Sequence, residues 1–157
     1  MRKVGLLFAL SLLLPSLRAA NVEITRPHIA FLSDAGVGVA CKSPGRRGCT
    51  TLQTEFICGC KQSGDKWTLE PRLKVTPYIY MTTQEIMHHE LEHIADVQAS
   101  LKEYAGSLLL RSFGSQEACD SFVGEESRLF SSTMRNIQRV TVLRRDGAQY
   151  AAAAGDH

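Results

Sequence analysis

The chain has 157 residues, 44% of them hydrophobic, which suits one modest domain with a real core. Its formal charge is +2, from 18 basic and 16 acidic residues; without Arg2, Lys3 and Arg18 of the N-terminal leader, 15 basic residues face 16 acidic ones. A nearly neutral domain has no electrostatic footprint for nucleic acid or anionic membranes, and neither is expected as a partner.

Residues 1–20 read as a signal peptide. Met1-Arg2-Lys3 is a basic start, Val4 to Leu14 an apolar run, and Ala19-Ala20 a pair of small residues for cleavage. Pro15 and Arg18 break the run short of the ~20 apolar residues that a membrane span needs. No cysteine near the cleavage site offers a lipid anchor. The expectation is a secreted or periplasmic protein, off the membrane once the leader is removed. A single domain is expected over 21–145, followed by a disordered, Ala-rich tail over 146–157.

Val22 to Thr25 is a short extended segment stopped by Arg26-Pro27, and Phe31 to Ala40 combines a turn signal at Asp34 with a β-branched run. The five cysteines are Cys41, Cys49, Cys58, Cys60 and Cys119, and in an exported protein their default role is disulfide formation, with one left over. Spacing alone makes a Cys41–Cys49 bridge around Pro44-Gly45 plausible. Cys58-Gly59-Cys60 could instead form a redox or metal site. Thr50 to Cys58 reads as a strand, and Lys61 to Asp65 as a turn.

Over Lys66 to Met81 the apolar residues Trp67, Leu69, Leu73, Val75, Ile79 and Met81 hold the odd positions, the pattern of a half-buried antiparallel strand or pair of strands. Pro71 and Pro77 cannot donate to a ladder, so an edge position is expected. Such an edge could pair with an extended peptide, or the prolines could simply guard it against aggregation. Thr82-Thr83-Gln84-Glu85 is a capping box that predicts a helix from near Thr83 to Leu110. Its buried stripe would comprise Ile86, Leu91, Ile94, Ala95, Leu101, Tyr104, Ala105 and Leu108. A second helix is expected over roughly 116–140, with Phe122, Val123, Leu129, Phe130, Met134 and Ile137 on its apolar face.

The chemistry concentrates in the first helix. His89-Glu90-Leu91-Glu92-His93 is H-E-x-x-H, which puts two imidazoles four residues apart on one helix face, with Glu90 placed to act as a base. Catalytic zinc takes three protein ligands and keeps one open position. His88 and Glu92 have the same spacing, but no Glu follows His88; His88 reads as a surface or supporting residue. The metzincin continuation fails, because Asp96 and Ala99 occupy the positions of its glycine and third ligand. Asp96 is placed to orient an imidazole. In a gluzincin-like arrangement a Glu from the later helix completes the site. Glu126 fits because a carboxylate in an apolar stripe is costly unless paired or metal-bound. A structural ion pair would satisfy it equally, and Glu125, Asp120 and Glu117 remain open.

From the strand-rich first half through HHELEHIADVQASLKEYA to SQEACDSFVGEESRLF, roughly residues 36 to 140, the chain resembles a family of small secreted bacterial proteases. These are zinc-dependent zincins long catalogued as a domain of unknown function. The resemblance implies that Cys119 pairs with Cys58 or Cys60. Relatives usually carry Gly before the second His, where this chain has Glu92. The expected fold is α+β and zincin-like: an N-terminal antiparallel sheet, a metal-binding helix and a second long helix packed on it. The expected function is that of a secreted zinc metalloendopeptidase acting on a protein or peptide. His89, His93 and Glu126 would hold Zn²⁺, and Glu90 would take the proton of the attacking water. Two alternatives are an exported zinc-binding adaptor without activity and a disulfide-stapled interaction domain in which the motif is accidental.

Overall fold

Period-two alternation over residues 66–81 builds the strand on which the sheet is assembled. The computed structural model describes residues 21–154. In chain order it contains β1 (Asn21–Ile24), β2 (His28–Phe31), α1 (Asp34–Ala40), β3 (Gly48–Ser63), β4 (Lys66–Met81), a 3-10 turn (Gln84–Ile86), α2 (Met87–Leu109), β5 (Ser112–Phe113) and α3 (Gln116–Ala154). Residues 1–20, where the signal peptide is expected, lie outside the described residues, as do 155–157.

β4 is the centre of the sheet, not its edge. β3 pairs with it antiparallel along its whole length, from Ser63↔Lys66 to Gly48↔Met81. Its other side receives β1 and β2 in parallel and β5 antiparallel. The sheet is therefore mixed, where an antiparallel one was expected.

The prolines are tolerated through register. Val75 and Met81 turn their carbonyls to the β1/β2 side, accepting from the backbone N–H of Thr25 and Leu32 at 2.9 Å each. Residues two apart on a strand face the same neighbour, so Pro71 and Pro77 face that side too. Pro71 falls between the segments paired with β5 and β1, and Pro77 between those paired with β1 and β2. Each missing N–H sits at a break, and no ladder bond is lost. At the second break Thr25-Arg26-Pro27 spans Thr76-Pro77, one residue more than its partner, which bulges the edge. Between β3 and β4 the two-residue turn starts at Gly64 with φ +65°, the left-handed conformation that glycine adopts without strain.

The odd positions of β4 face α2 and α3, while Arg72 and Lys74 on the opposite face are exposed. Leu73 and Val75 meet Val97, Leu101 and Ala105 of α2 and Phe130 and Met134 of α3. Ile79, Met81 and Ile94 form a second cluster beside α2's first turns. At the far end Leu69, Leu108 and Cys119 form a third. Val97 belongs to the α2 stripe and was not anticipated, whereas Leu91, at 40% exposure, lies off it. Two disulfides add to this frame, Cys41–Cys49 and Cys60–Cys119, and Cys58 is left free. The second closes a separation of 59 residues and ties β3 to α3, worth about 4 kcal/mol in the chain-entropy account. Disulfides of this kind fit an oxidising, extracellular compartment.

Three local expectations change. Residues 34–40 form a helix because Ser33 caps it, its Oγ accepting from the Gly36 N–H at 3.2 Å, and Asp34 sits in the first turn. Thr83 makes no capping bond, and α2 is entered through the 3-10 turn. Thr82 instead donates from both its N–H and its hydroxyl to the Arg47 carbonyl. Finally, α3 does not stop near Val140: it runs to Ala154 through the stretch expected as a tail. One glycine, Gly147, costs a helix only ~1 kcal/mol, which the contacts of the preceding turn with α2 can offset. No helix among the described residues is long and apolar enough to cross a membrane.

Candidate metal centre

The four-residue spacing in α2 places His89 and His93 on one face, where their Nε2 atoms approach to 3.0 Å with the rings edge-on. The third group comes from the last turns of α3. Asp146 Oδ1 lies 3.3 Å from each of the two nitrogens. For zinc bonds of about 2.0–2.1 Å, ligands at the corners of a tetrahedron stand ~3.3–3.4 Å apart. The triangle of 3.0, 3.3 and 3.3 Å is close to one face of that tetrahedron.

The two imidazole nitrogens lie within hydrogen-bond distance of each other, whereas Asp146 Oδ1, although buried, accepts no hydrogen bond. A buried carboxylate oxygen in that state is costly without a cation. Burial and the neighbouring His89 hold the His93 pKa below the ordinary histidine value, favouring the neutral imidazole that metal binding needs. His89, His93 and Asp146 therefore form a candidate metal site.

Glu90 turns from the same helix toward β3. It is only 4% exposed, and its Oε2 accepts a 2.7 Å hydrogen bond from the Thr50 hydroxyl. The close approach of strand and helix depends on Gly48. A Cβ there would meet Ile86 Cγ2 at 2.7 Å and Glu90 Oε1 at 3.3 Å. Arg145, next to Asp146, fixes the other wall. Its guanidinium donates to both Asp96 carboxylate oxygens at 2.7 and 2.9 Å and reaches Glu92 at 2.7 Å. Asp96 thus anchors α3 and does not orient an imidazole; His93 Nδ1 is buried without a hydrogen-bond partner. His88 points outward, 87% exposed, toward Glu92. An open cleft of about 1130 Å³ runs past His89, His93, Asp146 and Glu90, bounded by β3, the Cys41–Cys49 loop and α3.

Glu126 is not brought to this centre. It accepts a 2.8 Å hydrogen bond from the Tyr104 hydroxyl, which satisfies its place in the apolar stripe. Burial of the Cys58 thiol and, after it, the charge of Glu126 push that thiol up to about 11. Glu125 pairs with Arg128, and Glu117 and Asp120 are exposed at the start of α3. The reason is topological. α2 and α3 run antiparallel, so Glu126 meets Tyr104 while the histidines, near the opposite end of α2, meet residues some twenty positions further on, roughly 30 Å along the helix. A signal was present: between Glu126 and the end of α3, Asp146 is the only carboxylate. Thr50, Gly48 and Arg145 had no signal in the motif.

No protein-family model matches the chain, and neither a curated protein nor a solved structure matches it.

Proposed function

We propose that the protein is a zinc-dependent metallopeptidase of an exported, oxidising compartment. The observation that carries this reading is the buried Asp146 oxygen, which accepts no hydrogen bond and stands at tetrahedral spacing from two imidazoles, with Glu90 beside them in an open cleft. Two nitrogen ligands and one carboxylate suit zinc and leave a fourth position free. Bound Zn²⁺ would supply Lewis acidity, polarising a scissile carbonyl and acidifying water.

The remaining chemistry belongs to the chain. His89, His93 and Asp146 would hold the ion, and burial lowers the His93 pKa, which favours the neutral imidazole that role needs. Glu90 takes a proton from the attacking water and returns it to the leaving amine, while the Thr50 hydroxyl keeps its carboxylate in one orientation. β3 pairs on one side only among the described residues, and its stretch from Cys49 to Leu52 lines the cleft. Its free backbone groups can add an extended peptide as a further strand, which presents a backbone carbonyl along the cleft. The edge role expected for residues 66–81 thus passes to β3.

Glu90→Gln tests this directly. The variant should bind zinc as the parent does but cleave a mixed peptide library at least ~100-fold more slowly. Cleavage at the parent rate contradicts the mechanism, and absence of cleavage by the zinc-loaded parent contradicts the function.

A further inference from the structure

The charges around the cleft are unevenly distributed. Among the described residues its only carboxylates are Glu90 and Asp146. Asp146 is committed to the imidazoles and Glu90 to Thr50, and a divalent cation would offset both charges. Three arginines remain, Arg46, Arg47 and Arg139, facing the cleft from two sides. Arg46 and Arg47 are exposed and have no ion-pair partner among the described residues; Arg139 bonds only the neutral Asn136 side chain.

The two loop arginines are also held in place. The Cys41–Cys49 disulfide closes their loop, and the Arg47 carbonyl accepts two hydrogen bonds from Thr82. The loop segment between the two cysteines contains Lys42, Arg46 and Arg47 and no acidic residue, whereas the rest of the chain beyond residue 20 carries 12 basic against 16 acidic residues. A local positive field on a tethered loop beside a cleft attracts anionic ligands and orients them.

We infer that the cleft selects an acidic peptide: the segment lying along β3 carries Asp or Glu side chains that meet Arg46 and Arg47, with Arg139 facing them across the cleft. The inference rests on the peptidase reading for its choice of occupant, and it is tested by binding, independently of turnover. The probes are a fluorescein-labelled decapeptide containing four glutamates and its twin with glutamines, titrated by fluorescence anisotropy into zinc-loaded Glu90→Gln protein. The acidic peptide should bind about tenfold more tightly at low salt, and the preference should shrink in 0.5 M NaCl. Arg46→Ala/Arg47→Ala should reduce it to within about twofold, and Arg46→Glu/Arg47→Glu should transfer it to a lysine-containing twin. Equal binding of the two peptides, no binding of either, or a preference unchanged in both double variants overturns the inference. A parent protein that prefers the acidic peptide yet cleaves neither would defeat the peptidase reading alone. Cleavage of both with no difference in affinity would defeat only the selection of acidic substrate.

Discussion

Asp146 and Glu126 are both carboxylates on α3, and their surroundings separate them. Glu126 has a hydroxyl donor; Asp146 Oδ1 has two imidazole nitrogens and no donor. The pairing of His89 with His93 was legible in the sequence because four-residue spacing is a local property of any helix. Asp146 was not, since its placement requires the length of α3 and its direction relative to α2. Asp146-Gly147 also carries the appearance of a helix stop. At the same scale, Gly48 is defined by the space around it. Gly48→Ala should destabilise the protein by about 1–3 kcal/mol in urea unfolding, because its Cβ would drive into the Ile86 side chain 2.7 Å away. An unchanged unfolding midpoint would show that β3 can move off the helix without cost.

At the scale of elements, the candidate metal site is a joint between two helices, and Arg145 closes it. With Asp96 and Glu92 it fixes the turn of α3 that presents Asp146. Arg145→Ala should weaken zinc binding ~10–100-fold in a chelator competition while leaving stoichiometry intact at saturating metal. Unchanged affinity would mean that packing alone holds the turn. The same clamp has an acid dependence. Hydrogen bonding to Arg145 holds the Asp96 carboxyl below the usual carboxylate range. A carboxyl whose pKa is lowered by folding stabilises the fold above its unfolded value of about 3.9, and that contribution is lost as pH falls through the folded value. Metal-free protein should therefore lose stability more steeply below about pH 4 than Asp96→Asn does, as read from urea midpoints between pH 5 and pH 2. Parallel curves would contradict the clamp. The strands teach a related lesson. The alternation over 66–81 identified the buried face of β4 correctly, because burial acts on single residues. Its prolines misled about position, because they report only that one N–H direction is unpaired, and a segmented neighbour satisfies that as well as an edge does.

For the whole molecule, a mixed sheet covered on one face by two antiparallel helices brings distant parts of the chain to one cleft: the disulfide loop, the start of α2 and the end of α3. The mix of helix and strand could be read from periodicity, whereas the parallel joining of β1 and β2 could not, since strand direction leaves no mark on alternation. The central claim is that His89, His93 and Asp146 are the ligand set. Its most direct test is the zinc content of the purified protein after metal reconstitution, measured for the parent, His89→Ala/His93→Ala, Asp146→Ala and Glu126→Ala. The account predicts stoichiometric zinc in the parent and in Glu126→Ala, and its loss in the other two. Zinc retained by Asp146→Ala, or absent from the parent, would contradict it.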